Sequence, residues 1–166
     1  MALKDALLPE FDHEVGTTRR LLERVPEADL AWKPHPKSFS LGQLASHIAN
    51  ILHWVGATCD FTVFDLATIG DDARPKQPAS LAEILTAFDA NAKTARAKVD
   101  AQSDALMLAQ WTMKQGDQEV MTMPRAAVLR SFIMNHLIHH RGQLSVYLRL
   151  RDVPLPAIYG PTADEG

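Results

Sequence analysis

Two histidines in the segment NHLIHHRGQ, residues 135–143, have the spacing of a metal-binding pair. His136 and His140 are four residues apart, so on an α-helix they lie on one face, one turn apart. Two imidazoles in this position can bind one divalent ion. His139 points roughly 60° away from His136 on the same helix, which makes it a poorer ligand. The spacing alone fits equally well two hydrogen-bonded polar residues on the face of a helix bundle.

A third histidine, His47, lies in the segment LASHIAN on a second predicted helix. An imidazole among small and apolar neighbours needs a polar partner, because a buried group left without one costs about 1–3 kcal/mol. A helix that carries two further histidines can supply a shared ion. We therefore predict a divalent metal, zinc or nickel, on His47, His136 and His140. Three protein ligands leave at least one coordination position open, which is typical of a reactive site.

Such an ion would favour either of two reactions. Zinc with an open position lowers the pKa of bound water to about 7 and would act similarly on a thiol. The site could therefore activate a small thiol cofactor for transfer to an electrophile, or generate hydroxide in a hydrolase. The single cysteine, Cys59, follows His47 by twelve residues and points about 120° away from it on a helix. We interpret Cys59 as a core residue and not as the nucleophile.

A general base is harder to identify from the sequence. Glu14 is the candidate, because on a helix it shares a face with Phe11, Thr18 and Leu21, which we expect to point inward. The alternative is a carboxylate that is capped or ion-paired at the surface, as charged helix residues usually are.

Five further residues have candidate roles near the predicted metal. Trp54 and Tyr147 could line the mouth of a substrate pocket, although aromatic residues at helical spacing also fit a plain core. Arg141 could bind an anionic group of the substrate or form an ion pair at the helix end. Asn135 and Gln143 could donate or accept second-layer hydrogen bonds that orient the imidazoles.

The elements that must position these residues are predicted to be helices. Apolar residues recur at helical spacing, and the sequences Ser40–Gln43 and Ser80–Glu83 have the form of capping boxes at two helix starts. We predict an all-α fold, a four-helix bundle with a short irregular or hairpin excursion at residues 109–123, before the last helix. The predicted helices span residues 3–25, 40–68, 80–100 and 124–151, with a loop at 70–79.

The last fifteen residues, 152–166, contain three prolines and are predicted to form an extended tail. Its apolar residues Leu155, Ile158 and Tyr159 would be exposed if the tail were free. We therefore predict that the tail docks on the bundle or on a partner subunit.

Composition indicates a single globular domain over residues 1–166. The chain is 46% hydrophobic and 22% charged, with 17 basic and 20 acidic residues and a net charge of −3. The charges are dispersed along the chain, so we predict neither nucleic-acid nor membrane binding. One cysteine fits a reducing compartment, and neither a signal peptide nor a membrane-spanning run is evident, so we expect a cytoplasmic protein.

Five motifs spread over nearly the whole chain together resemble the DinB/YfiT-like family, whose members are regarded as metal-dependent enzymes. The motifs are FDHE at 11–14, WKP at 32–34, SFSLGQLASH at 38–47, NHLIHHRGQL at 135–144 and PAIYGP at 156–161. The resemblance implies a four-helix bundle with a long-crossover connectivity and a homodimer. It also implies that His47, His136 and His140 are the metal ligands.

The resemblance is less specific about the reaction. Some branches of the family resemble S-transferases that join low-molecular-weight thiols such as bacillithiol to electrophiles, and a related branch is a mycothiol-dependent isomerase. The first hypothesis is therefore a metal-dependent enzyme on a small molecule, with thiol S-transferase chemistry. The alternatives are a metal-dependent hydrolase, a non-catalytic, stress-associated metal-binding bundle, and a dimerising bundle whose histidines cluster without a metal.

Overall fold

The computed structural model describes residues 2–69, 78 and 80–165. The predicted loop at 70–79 lies outside the described residues except for position 78. In chain order the helices are α1 (Leu3–Leu22), α2 (Leu41–Ile51), α3 (Trp54–Asp60), α4 (Leu81–Asp100), α5 (Asp104–Leu108), α6 (Arg125–Ala127) and α7 (Asn135–Arg149). A π-helical segment, Val128–Met134, joins α6 to α7, and short 3₁₀ turns lie at Glu27–Asp29 and Leu66–Thr68.

The predicted helix starts at Ser40 and Ser80 are confirmed. The Ser40 hydroxyl accepts a hydrogen bond from the Gln43 amide at 3.1 Å, and the Gln43 side chain accepts one from the Ser40 amide at 2.9 Å. The Ser80 hydroxyl accepts a bond from the Glu83 amide at 3.1 Å. These bonds satisfy amides that the first turn of a helix leaves without a partner.

The prediction of one helix over residues 40–68 is wrong. The chain forms α2 and α3 and then becomes extended at Phe61. The side chain of Arg125 ends α3, because its Nε donates to the Thr58 carbonyl at 3.0 Å and its Nη2 donates to the Phe61 carbonyl at 3.0 Å. Arg125 comes from a distant part of the chain, so local periodicity in the sequence could not indicate this termination.

The residues after Phe61 form the first strand of a three-stranded sheet. Strands β1 (Val63–Asp65), β2 (Gln110–Gln115) and β3 (Gln118–Pro124) lie in the order β1-β2-β3. β1 pairs with β2 in parallel, with Val63 opposite Thr112, whereas β2 and β3 form an antiparallel hairpin. The turn of this hairpin contains Gly116 at a φ of 63°, a left-handed conformation that glycine adopts without strain.

The all-α fold class is therefore wrong. The structure is mixed, with 61% of the described residues helical and a three-stranded mixed sheet, and it is not a pure four-helix bundle. The hairpin predicted at 109–123 is present, but it is not an isolated excursion, because β1 joins it. The sheet also has its own small core, in which Trp111, Met113 and Val128 are buried.

The main core lies between α1, α2, α4 and α7. Each of these helices packs against two of the others. Both α1 and α2 contact α4 on one side and α7 on the other. The core contains mostly leucine, isoleucine and phenylalanine side chains, including Phe11, Leu44, Ile48, Phe88 and Leu144. The direct packing of α2 against α7 brings together the two helices that carry the candidate metal ligands.

The extended tail docks on the helices of its own chain. Leu155 and Ile158 pack against the main core. The Arg20 guanidinium donates to the Ala157 carbonyl at 2.9 Å, and an ion pair joins Arg24 to Glu165 at 2.7 Å. Among the described residues, none of the helices combines the length and the apolar character needed to cross a membrane.

Candidate metal centre

The three histidines predicted from the sequence converge at the interface between α2 and α7. One ring nitrogen from each of His47, His136 and His140 lies within 4.8 Å of the other two. The Nε2 atoms of His47 and His136 are 3.2 Å apart, and the ring centroids of His47 and His140 are 4.5 Å apart. All three side chains are partly exposed, so the cluster is open to solvent.

Core packing on the other faces of the two helices sets this arrangement. On α2, Leu44 lies three residues before His47 and Ile48 directly follows it, and both are buried. On α7, Leu137 and Leu144 are buried in the same core. The apolar residues turn these faces of α2 and α7 toward the core, and the histidines lie at the shared edge of the interface.

The cluster favours neutral imidazoles. Burial is the main cause of a lowered pKa at His47 and His136, and the neighbouring His140 lowers both further. The pKa of His136 falls to about 4. Burial also lowers the pKa of His140, against an opposing effect of its hydrogen bond with Gln143. A metal needs the neutral form of histidine, so at neutral pH the cluster is in the protonation state for binding a cation.

The hydrogen bond between His140 and Gln143 also selects a tautomer. The Gln143 Oε1 atom lies 2.7 Å from Nδ1 of His140. An amide oxygen only accepts, so Nδ1 must carry the proton and Nε2 presents its lone pair. This is the arrangement that supports a ligating histidine from outside the coordination sphere.

The distance between two of the ring nitrogens fits a small dication. Two nitrogens bound at about 2.0–2.1 Å to a tetrahedral zinc ion lie about 3.3 Å apart, close to the 3.2 Å between His47 and His136. In the described part of the chain this group has no fourth His, Cys, Asp or Glu. His139 lies outside it, exposed, with its ring 4.8 Å from that of His140.

Two aromatic rings flank the cluster. Phe39, which is 49% exposed, lies 5.9 Å from the ring of His47. Phe132, in the π-helical segment, lies 6.0 Å from the ring of His136. The sequence signal for Phe132 was its position four residues before His136, whereas Phe39 gave no signal beyond its place before the Ser40 cap.

The predicted pocket aromatics lie in different places. The ring of Trp54 packs edge-on against Phe132 at 5.9 Å and against Phe64 at 5.4 Å. Trp54 therefore lies between Phe132, which flanks the histidine cluster, and Phe64 of strand β1. Tyr147 packs edge-on against Trp32 at 5.9 Å on the main core. Asn135 accepts a hydrogen bond from Arg130, and it is Gln143 that contacts a histidine of the cluster.

The structure places Glu14 and Arg141 together, away from solvent. Arg141 is 1% exposed and Glu14 is 5% exposed, and Nη1 of the arginine lies 2.6 Å from Oε2 of the glutamate. The hydroxyl of Tyr159, from the tail, lies 2.8 Å from both carboxylate oxygens. Of the two sequence-based alternatives for Glu14, the ion-paired carboxylate matches this geometry, except that the pair is buried.

The single cysteine is not set up as a nucleophile. Burial raises the pKa of the Cys59 thiol to about 11, with the charge of Asp60 as a further cause. The reactive form of cysteine is the thiolate, which is scarce at neutral pH when the pKa is raised.

A family model for the DinB family matches residues 1–166. The chain belongs to the DinB family. Among curated proteins, it is similar to the uncharacterised protein YrdA of Bacillus subtilis (strain 168), with 25% identity over 165 residues, 97% of this chain and 90% of the relative.

Solved structures of DinB-like proteins have the same fold as this DinB-family chain. One, from Bacillus cereus ATCC 10987, superposes with a TM-score of 0.73 at 20% identity and covers 93% of this chain and 97% of its own. Another, YjoA from Bacillus subtilis, superposes with a TM-score of 0.70 at 19% identity and covers 95% and 99%. At these identities the likenesses show the fold alone.

Proposed function

We propose that this DinB-family protein is a metal-dependent enzyme that acts on a small molecule. His47, His136 and His140 would hold a divalent metal, zinc or nickel, with at least one coordination position open. The observation that carries the proposal is the convergence of three neutral imidazoles from two helices at a spacing that suits one ion. When bound, such an ion lowers the pKa of a water or thiol at its open position.

We further propose thiol S-transferase chemistry, in which a low-molecular-weight thiol is a substrate. The raised pKa of Cys59 supports an external thiol, since the protein's own thiol is poorly activated. In the reaction a sulfur–carbon bond would form as the leaving group departs from the electrophile. Phe39 and Phe132 flank the cluster with apolar surface, which favours an electrophile with an uncharged, apolar part.

The test compares thiol transfer with hydrolysis on the same metal-loaded protein. Purified untagged protein, loaded with zinc or nickel, would be assayed with 1-chloro-2,4-dinitrobenzene and a panel of small thiols, and separately with activated esters without a thiol. We expect thiol-dependent and metal-dependent product formation that is lost in His136→Gln and retained in the matched control His139→Gln.

Other results of these assays would favour one of the alternative functions. Ester cleavage without thiol transfer would replace the transferase with a hydrolase. Full metal loading with neither activity across the panel would favour a non-catalytic metal-binding bundle. The homodimer and the cytoplasmic location remain predictions, and sedimentation velocity on the metal-loaded protein checks the first.

A further inference from the structure

A second polar cluster lies on another face of α7, the face that packs against α1. Arg141 points into the core between α7 and α1, where its Nη1 atom contacts Oε2 of Glu14 at 2.6 Å. The same Nη1 lies 3.3 Å from the Glu14 carbonyl oxygen and 3.3 Å from the Thr18 hydroxyl. All three acceptor atoms belong to α1, so one guanidinium joins the two helices.

The C-terminal tail completes this cluster through Tyr159. Nη2 of Arg141 donates to the tyrosine hydroxyl at 2.5 Å, and that hydroxyl lies 2.8 Å from each carboxylate oxygen of Glu14. Although Tyr159 is 65% exposed, its hydroxyl is directed inward. Burial, and then the hydrogen bond to Glu14, raise the pKa of Tyr159 above its ordinary value, so the hydroxyl keeps its proton and donates a hydrogen bond to the carboxylate.

The position of Arg141 connects this cluster to the metal centre. Arg141 directly follows His140, and successive residues on a helix differ by 100° in direction. Arginine therefore faces α1 while His136 and His140 face α2. Any rotation of α7 that breaks the contacts of Arg141 must also turn both histidines away from His47.

Apolar packing alone would hold α7 in the core without specifying its rotation so closely. Leu137, Leu144 and Leu148 already supply that packing. A buried ion pair is a weak source of stability compared with apolar side chains, but it accepts only a narrow range of geometries. The Arg141 cluster therefore suits a role in orientation.

We propose that Glu14 and Tyr159 are positioning residues for the metal centre: by holding Arg141 they fix the rotation of α7 and place His136 and His140 opposite His47. The inference rests on the proposed metal function of the three histidines. It makes the C-terminal tail a part of the metal centre although the tail supplies no ligand.

The structure offers a matched control for the tail contact. The ion pair Arg24–Glu165 also fastens the tail near the end of α1, at 2.7 Å, but both side chains are partly exposed and neither contacts Arg141. Arg24→Ala therefore loosens the tail without altering the buried cluster. Tyr159→Phe keeps the tyrosine ring and removes only the hydroxyl.

The experiment measures zinc affinity by competition with a chromophoric chelator for the full-length wild type, Tyr159→Phe, Glu14→Gln and Arg24→Ala. The melting temperature of each metal-free protein and the visible spectrum of each cobalt-loaded protein are recorded alongside. We expect Tyr159→Phe and Glu14→Gln to weaken zinc binding about tenfold or more and to change the cobalt spectrum. Arg24→Ala should keep the wild-type spectrum and an affinity within about twofold of the wild type.

Two results would overturn the inference. One is wild-type zinc affinity in Tyr159→Phe and in Glu14→Gln. The other is a loss of affinity in all three variants that simply follows their loss of melting temperature, which would indicate a general structural role. Failure of the proposed function is distinguishable, because then the wild type itself would bind no zinc.

Discussion

Among single residues, Gln143 has the most direct effect on a candidate ligand, because it holds the proton of His140 on Nδ1. Gln143→Leu removes this acceptor and releases the ring to rotate and to change tautomer. We expect metal affinity to fall about 10–100-fold, the usual effect of removing such an outer partner. Asn135→Ala is the control, since Asn135 lies on the same helix and bonds to Arg130. Equal affinities for Gln143→Leu and Asn135→Ala in a chelator competition would show that the Gln143 contact is unimportant.

The lowered pKa values of the histidines predict a pH dependence of stability for the metal-free protein. Unfolded histidine takes up a proton near pH 6.5, whereas folded His136, surrounded by His47, His139 and His140, does so only near 4. Between these values the unfolded state binds more protons, so the free energy of unfolding should fall as the pH decreases from 6.5 towards 4.

Urea unfolding of metal-free protein at several pH values checks this dependence. His136→Gln cannot titrate, so its stability relative to the wild type should rise as the pH falls through the same range. A constant difference between the two proteins from pH 7 to pH 4.5 would contradict the lowered pKa of His136.

The sequence predicts the pair His136 and His140 because spacing on a helix reports which side chains share a face. His47 joins the prediction because an imidazole among small and apolar neighbours needs a polar partner. The sequence could not predict the partners of Glu14 and Arg141, which depend on a contact with Tyr159, 145 positions further along the chain than Glu14. The two roles that the sequence suggests for Arg141 are binding an anionic group of the substrate and forming an ion pair at the helix end. In the structure the Arg141 guanidinium is buried, and its partners are the carboxylate of Glu14 and the hydroxyl of Tyr159.

Among the elements, α3 and its end depend on one buried side chain. Arg125 is 6% exposed and donates to the carbonyls of Thr58 and Phe61, where the helix gives way to β1. Arg125→Ala would leave these carbonyls without a donor, at about 1–3 kcal/mol for each buried group. We expect a loss of about 2–4 kcal/mol in the free energy of unfolding, measured in urea.

The control for this prediction is Arg96→Ala. Arg96 forms an exposed ion pair with Asp12 at 2.8 Å, and such pairs contribute less than about 1 kcal/mol. If Arg96→Ala destabilised the protein as much as Arg125→Ala does, the buried contacts of Arg125 would not explain where α3 ends.

At the level of the whole molecule, the tail is part of the folded unit. Leu155 and Ile158 pack on the main core, and a fully buried side chain of this size contributes up to about 1.5–3 kcal/mol. Deleting residues 153–166 should lower the melting temperature by several degrees, at about 2–4 °C for each kcal/mol lost. We also expect reduced metal content. Unchanged melting temperature and metal content in the truncated protein would show that the tail is dispensable.

The fold class could not be obtained from local patterns alone. The helices that build the main core follow apolar periodicity and capping signals, and the sequence predicted three of their starts closely. The sheet depends on the parallel pairing of Val63 with Thr112, and such a pairing between distant segments leaves no periodic signal in either. The sequence therefore predicts a helix where the brief β1 strand lies, and an all-α class for the fold.

The central claim, that His47, His136 and His140 hold one divalent metal, is tested most directly by elemental analysis. Untagged wild type and the single alanine variants at positions 47, 136, 139 and 140 would be loaded with zinc or nickel, desalted and measured. We expect about one ion per chain in the wild type and in His139→Ala, and almost none in the other three variants. A wild type that retains no metal, or a His140→Ala variant that keeps it while His139→Ala loses it, would show that these three histidines are not the ligands.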